Sequence, residues 1–172
     1  MKKSISLLLC LLLALSLSAC GKQAVPAANT DSDGGTPDGG ASVVNPWVDY
    51  DSPEEAIAAV GFNITAPEEI EGYDAPVYRV MNNELLEVLY PCADGEIRIR
   101  KAAGEEDISG DYNTYAETQT VSTPGEDGVV TMKGDGDTVS CATWCSGAYT
   151  YSVTARPGVD VLTMTDLVNT VH

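Results

Sequence analysis

Pro76-Val-Tyr-Arg-Val-Met-Asn-Asn-Glu-Leu-Leu-Glu-Val-Leu-Tyr-Pro-Cys-Ala-Asp-Gly-Glu-Ile-Arg-Ile-Arg-Lys101 reads as three β-strands folded back on one another. β-Branched and aromatic residues fill 77–81, 84–90 and 96–101, as a half-buried pleated surface requires. Asn82-Asn83 and Ala93-Asp94-Gly95 supply the residues that accept tight-turn geometry, so the three strands form an antiparallel meander. A second set follows a polar stretch, with strands expected at 117–121, 128–133, 138–145 and 149–155. Pro124-Gly125, Gly134-Asp135-Gly136-Asp137 and Ser146-Gly147 punctuate it. A two-residue turn at Ser146-Gly147 sets Trp144 opposite Tyr149 or one position away, with Ala142 near Tyr151, so the aromatics share one sheet face.

Helices flank the strands. Ser52 is a good N-cap, Pro53 fits the first helical position, Glu55 completes a capping box, and Gly61 accepts the left-handed conformation that ends a helix. This predicts a short helix at 53–60, with Phe62 folded back onto Ile57. Near the end of the sequence, Met164, Leu167, Val168 and Val171 recur at the spacing of an amphipathic helix. No alternation of strand and helix exists to build parallel crossovers. The expected fold is therefore α+β: an antiparallel meander of about six to seven strands, with short N-terminal and C-terminal helices packed on one face.

The first 45 residues follow other rules. Lys2-Lys3, a leucine-rich run of roughly 13 residues and Leu17-Ser-Ala-Cys20 have the form of a lipoprotein signal, the run being too short to span a bilayer. The expectation is cleavage before Cys20 and transfer of a diacylglyceryl group to its thiol as a thioether, which anchors the chain on the extracellular face of the membrane. Residues 1–19 are then a signal peptide. Residues 20–45, rich in Gly, Pro, Ser and Asp, read as a flexible linker, and 46–172 as a single domain. Such a linker has a typical end-to-end distance of about 25–30 Å.

Charge narrows the partners. The chain has 9 basic and 26 acidic residues. Removing Lys2 and Lys3 with the signal leaves seven basic residues and a formal charge of −19. Nucleic acid is excluded, since only Arg98, Arg100 and Lys101 cluster. Divalent cations, cationic peptides and basic protein faces are electrostatically easier. The domain is expected to be monomeric and to need no cofactor.

Catalytic chemistry finds little support. The one histidine, His172, is the last residue, a poor position for a general base. Glu54-Glu55, Glu68-Glu69 and Glu105-Glu106-Asp107 could serve a glycosidase, but such pairs arise by chance in so acidic a chain. Asp31-Ser-Asp33-Gly34 and Asp135-Gly-Asp137 look like calcium loops yet lack the spaced acceptors of an EF-hand, so linker and hairpin turn are the simpler readings. Cys141 and Cys145, four apart on a strand, face the same side roughly 13 Å apart and cannot bond each other. If the meander is regular, the turns after Cys92 and Cys145 fall at one end of the sheet, which makes Cys92–Cys145 the expected disulfide. A reduced, buried trio and a zinc site with a carboxylate are the alternatives, the second weakened by the lack of C-x2-C spacing.

Asp51-Ser-Pro-Glu-Glu-Ala56, Gly61-Phe62, Ile97-Arg-Ile-Arg-Lys-Ala102, Asp107-Ile-Ser-Gly-Asp-Tyr-Asn-Thr-Tyr115, Ala142-Thr-Trp144 and Tyr149-Thr-Tyr-Ser152 together resemble an uncharacterised domain. That domain belongs to Firmicutes lipoproteins and to the extracellular ends of regulators similar to anti-sigma factors. The resemblance implies a Gram-positive cell surface and a curved antiparallel sheet with helices on one face. It carries over no catalytic residue. The functional expectation is a cell-surface lipoprotein acting as a non-enzymatic binding or sensing module for a protein or peptide. The alternative is a small carboxylate-dependent hydrolase acting on the cell envelope or an extracellular substrate.

Overall fold

Eight antiparallel strands form one sheet in the order β1-β2-β3-β4-β8-β7-β6-β5. They are β1 Trp47–Tyr50, β2 Val77–Met81, β3 Leu85–Cys92, β4 Gly95–Ala103, β5 Glu117–Ser122, β6 Val129–Asp135, β7 Thr138–Ser146 and β8 Tyr149–Asp160, with helices α1 Pro53–Val60 and α2 Val161–Thr170. The computed structural model describes residues 45–122 and 128–172, which fall within one compact unit, Val43–His172. The α+β class is as the sequence reads, and the expected turn at Pro124-Gly125 lies outside the described residues. The signal, Cys20 and most of the linker lie outside the described residues.

Two features depart from the expected single meander of six or seven strands. The first is β1, four residues between Pro46 and the cap of α1, too short to display a period. The second is the order: β1–β4 and β5–β8 are each meanders, but they join through a β4–β8 pair, Ile97 opposite Ala155 and Lys101 opposite Tyr151. β4 ends beside the β7–β8 turn, where Ala103 faces Tyr149, whereas β5 starts beside the β6–β7 turn, where Glu117 faces Gly134. Residues 104–116 must therefore run the length of the sheet, and they form a strap over one of its faces.

The helices take the other face. Ser52 caps α1 with its Oγ accepting from the Glu55 N–H at 3.3 Å, and Gly61, at φ 80°, returns its N–H to the Ile57 carbonyl at 2.9 Å. Asp160 caps α2 by accepting from the Leu162 and Thr163 N–H groups, each at 3.0 Å. α1 packs on β1–β3 and α2 on β7 and β8. Between helices and sheet lie Val80, Leu86, Val88, Tyr90, Ile97, Ile99, Met132, Ala142, Trp144, Tyr151, Val153 and the predicted α2 stripe. These are alternate residues along their strands, as one apolar face demands. The Tyr90 hydroxyl spends its proton on the Pro67 carbonyl at 2.5 Å, and burial raises its pKa strongly.

The last hairpin is shifted from its expected register. Ser146 faces Tyr149, so the turn is Gly147-Ala148 and Trp144 meets Tyr151, stacked at 5.3 Å and 8°. The turn takes the one residue that readily adopts positive φ, Gly147 at 59°, as its first central position. Phe62 packs on the Tyr149 ring at 5.3 Å, since the hairpin brings that ring over the end of α1. His172 is also better held than a frayed end: its N–H and carbonyl pair with Thr65, while its imidazole stays exposed. No helix among the described residues is long and apolar enough to cross a membrane.

Candidate functional site

The face away from the helices begins as a row of polar residues that the strand register sets side by side across all eight strands: Asp49, Arg79, Glu87, Arg100, Ser152, Thr143, Thr131 and Thr120. Its left half is charged and its right half carries hydroxyls. Glu87 is fully buried and accepts from Arg79 Nε at 2.5 Å and from Arg100 Nε at 2.6 Å. Both guanidinium groups lie against the Trp47 ring, at 5.1 and 5.3 Å from its centroid. One carboxylate thus holds two cations that an indole shields from water.

Arg100 also fastens the strap. Its Nη1 donates to the carbonyls of Ile108 and Ser109, at 2.9 and 2.8 Å. Gly110, at φ 62°, allows this approach, because a Cβ there would stand 2.5 Å from Nη1. Next to this clamp, Cys141 is fully buried on the strap side. Burial, aided by the nearby Asp111 charge, pushes its thiol up to about 11, outweighing the Ser109 hydroxyl and Lys133. It is not a thiolate at neutral pH, so it is no nucleophile.

Where the strap leaves β4, it stands away from the sheet and encloses an open cleft of about 410 Å³, within the usual size of ligand pockets. The strap wall is Glu105, Glu106 and Asp107, and the sheet wall is Thr131, Thr143, Cys145 and Thr150, with Gly128 and Val129 beside them. Burial alone would raise the Asp107 carboxyl, but bonds from the Ser109 hydroxyl and N–H and the charge of Lys133 outweigh it and hold the group below its ordinary value. Thr150 gives its hydroxyl proton to the Gly104 carbonyl at 2.6 Å, which leaves its oxygen to accept from the Cys145 thiol at 3.5 Å.

Of the cysteines read from the sequence, Cys92 and Cys145 are not brought together. Cys92 pairs with Gly95 at the β3–β4 turn, and Cys145 pairs with Thr150 at the start of β8. Neighbouring Glu96 meets β8 only at Arg156, so the two thiols are six residues of strand, or roughly 20 Å, apart. The expectation assumed a regular meander, and the β4–β8 junction reverses which end the later turns occupy. Cys92, Cys141 and Cys145 are free thiols. Among the described residues no group of three or more His, Cys, Asp or Glu side chains could hold a metal ion. Asp135 works as a turn residue, accepting from the Ala116 N–H at 2.7 Å.

Sequence reasoning missed the Glu87 clamp. A signal was present: Arg79, Glu87, Arg98 and Arg100 interrupt otherwise apolar strands at alternate positions, which marks a covered second face rather than a solvated one. No family model matches this chain, and no curated protein or solved structure is significantly similar to it.

Proposed function

We propose that this chain is a cell-surface lipoprotein, cut before Cys20 and held to the extracellular side of the membrane by lipid on that residue, whose domain is a non-enzymatic binding or sensing module. The proposal keeps the likeness to the Firmicutes lipoprotein domain as its context. Its partner is a cationic protein or peptide segment, received in the cleft between the strap and β6–β8. The observation that supports this is the asymmetry of the cleft: three acidic residues stand on one wall, while threonines, Cys145 and Val129 form the other. A lysine or arginine side chain gains charge attraction from the first wall and hydrogen-bond acceptors from the second.

The same asymmetry speaks against the hydrolase. Glycoside hydrolysis needs two carboxyl groups flanking the scissile bond, one of them with a raised pKa. Here Glu105, Glu106 and Asp107 are consecutive on one side, and Asp107 is shifted the other way.

Titration of an oligolysine peptide into the full chain, followed by calorimetry, tests the cleft. Binding that weakens with salt and is lost in Glu105→Gln/Glu106→Gln is expected, and binding that is absent or unchanged in the variant rejects it. Location has its own test. Cells fed a clickable fatty acid should label the wild type and not Cys20→Ala; equal label in both rejects the anchor.

A further inference from the structure

The two edges of the sheet are built differently. β1 has four residues, follows Pro46, carries Asp49 and runs directly into α1, which packs on it. β5 has six residues, every one exposed, with no proline, no lysine or arginine and one charge, Glu117, at its first position. A strand edge leaves a row of unpaired N–H and C=O groups, and proteins ordinarily guard it with charge, proline, a bulge or a cover. β5 pairs with β6 in unbroken register from Glu117 to Ser122, and among the described residues it has none of these guards beyond Glu117.

We propose that the outer edge of β5 pairs antiparallel with the same edge of a second copy of this chain, with Thr120 on the two-fold axis. Such an axis, perpendicular to the sheet, keeps helix face beside helix face. Opposed residues must then share a side, which sets Thr118 against Ser122, Gln119 against Val121, and Thr120 against its own counterpart. Two arguments favour this occupant. Glu117 falls outside the paired span, so no like charges are opposed across the junction. The hydroxyl row Ser152-Thr143-Thr131-Thr120 also ends at the axis and continues into the partner's row, adding Thr–Thr and Thr–Ser pairs of the kind that stabilise cross-strand neighbours. Five paired residues bury less than the ~1,200 Å² of a stable interface, and each copy has a formal charge of −17. The contact is thus weak: a monomer in dilute solution that pairs when concentrated. It does not depend on the cleft having a ligand.

Disulfide trapping reads it directly. In the full chain carrying Cys145→Ser, Thr120→Cys should form a covalent dimer at least tenfold faster than Thr118→Cys. The reason is distance: across the axis two Thr118 positions are four residues of strand, about 13 Å, apart, beyond the reach of a disulfide. The parent without an added cysteine sets the background. Equal rates, or no dimer above the parent, overturn the proposal. A second reading needs no cysteine: amide shifts of the wild type recorded from micromolar to millimolar concentration should move at Thr118–Ser122 and stay fixed in Thr120→Lys. Shifts confined to β1 or another surface, or none at all, also overturn it.

Discussion

The two faces of the sheet are both covered, by opposite means. On the helix side, apolar area does the work: α1 and α2 lie on alternating Val, Leu, Ile and aromatic residues, and the buried hydroxyl of Tyr90 is matched by a carbonyl. On the strap side the cover is 13 residues of irregular chain, 104–116, held by directional bonds that Arg100 and Thr150 donate and Asp135 accepts. That side also contains the three buried polar atoms with no hydrogen-bond partner among the described residues: Arg98 Nε, Asp111 Oδ2 and Ser152 Oγ. The difference teaches which face is adaptable. A face closed by area tolerates no cavity, whereas one closed by a few bonds can open locally at modest cost.

One lysine crosses this division. Lys101 lies on the helix face, where its Nζ stands 4.7 Å from the Tyr149 centroid, 4.9 Å from Tyr151 and 6.0 Å from Phe62. The aromatic cluster keeps a cation on the apolar side by offering it ring faces in place of a carboxylate.

The comparison can be broken most severely at Trp144. Trp144→Ala removes the ring stacked on Tyr151 and should cost about 3–5 kcal/mol in urea unfolding. A surface-like cost below about 0.5 kcal/mol would mean that the helix side does not depend on area. Next, Glu87→Ala leaves two arginines facing one another beneath Trp47 and should cost about 3 kcal/mol. Replacing all three of Arg79, Glu87 and Arg100 by Met, Leu and Met should cost less than that single change. If the triple variant is the worse one, the clamp stabilises the fold beyond its own charge balance.

Arg100→Lys sharpens the contrast further. The lysine keeps the charge but cannot serve Glu87 and the Ile108 and Ser109 carbonyls together, so about 1–2 kcal/mol should be lost. Amide exchange should quicken in 104–116 and remain slow in β3 and β8; uniform quickening would show that strap and core open as one. The smallest effect concerns Cys141. Its thiol is raised from an ordinary value of 9.0 to about 11, so the folded state keeps a proton that the unfolded chain loses. Stability attributable to it is full below pH 9 and falls as pH rises through 11. Cys141→Ala should flatten the stability curve between these values, and an unchanged slope would assign the alkaline loss to the tyrosines. At pH 8, native protein should be alkylated at exposed Cys145 well before Cys141.

How much of this was legible follows from the range of each interaction. The α1 cap was readable because Ser52, Pro53 and Gly61 act within one helical turn, and α2 because its stripe recurs every turn. The three-strand run from Val77 was readable because Asn82-Asn83 and Asp94-Gly95 close it locally. β1 was not, for four residues carry no period and its partner lies 30 residues further on. In the cleft, Glu105-Glu106-Asp107 stood out in the sequence, but their facing wall comes from three strands whose placement no local signal gives.

By itself the sequence determined the α+β class, both helices, the alternation that makes one face apolar, and the acidity that limits partners. These depend on propensity, turn chemistry and period, all expressed within a few residues. Only the tertiary structure decided that β4 would pair with β8. That one long-range choice sends residues 104–116 across the second face, buries Glu87 between two arginines, opens the cleft, parts Cys92 from Cys145 and leaves β5 at an edge. Strand pairing between distant segments is decided by competing closures of the whole chain, and an edge pair is won by complementarity of both faces at once, which no short stretch of residues encodes.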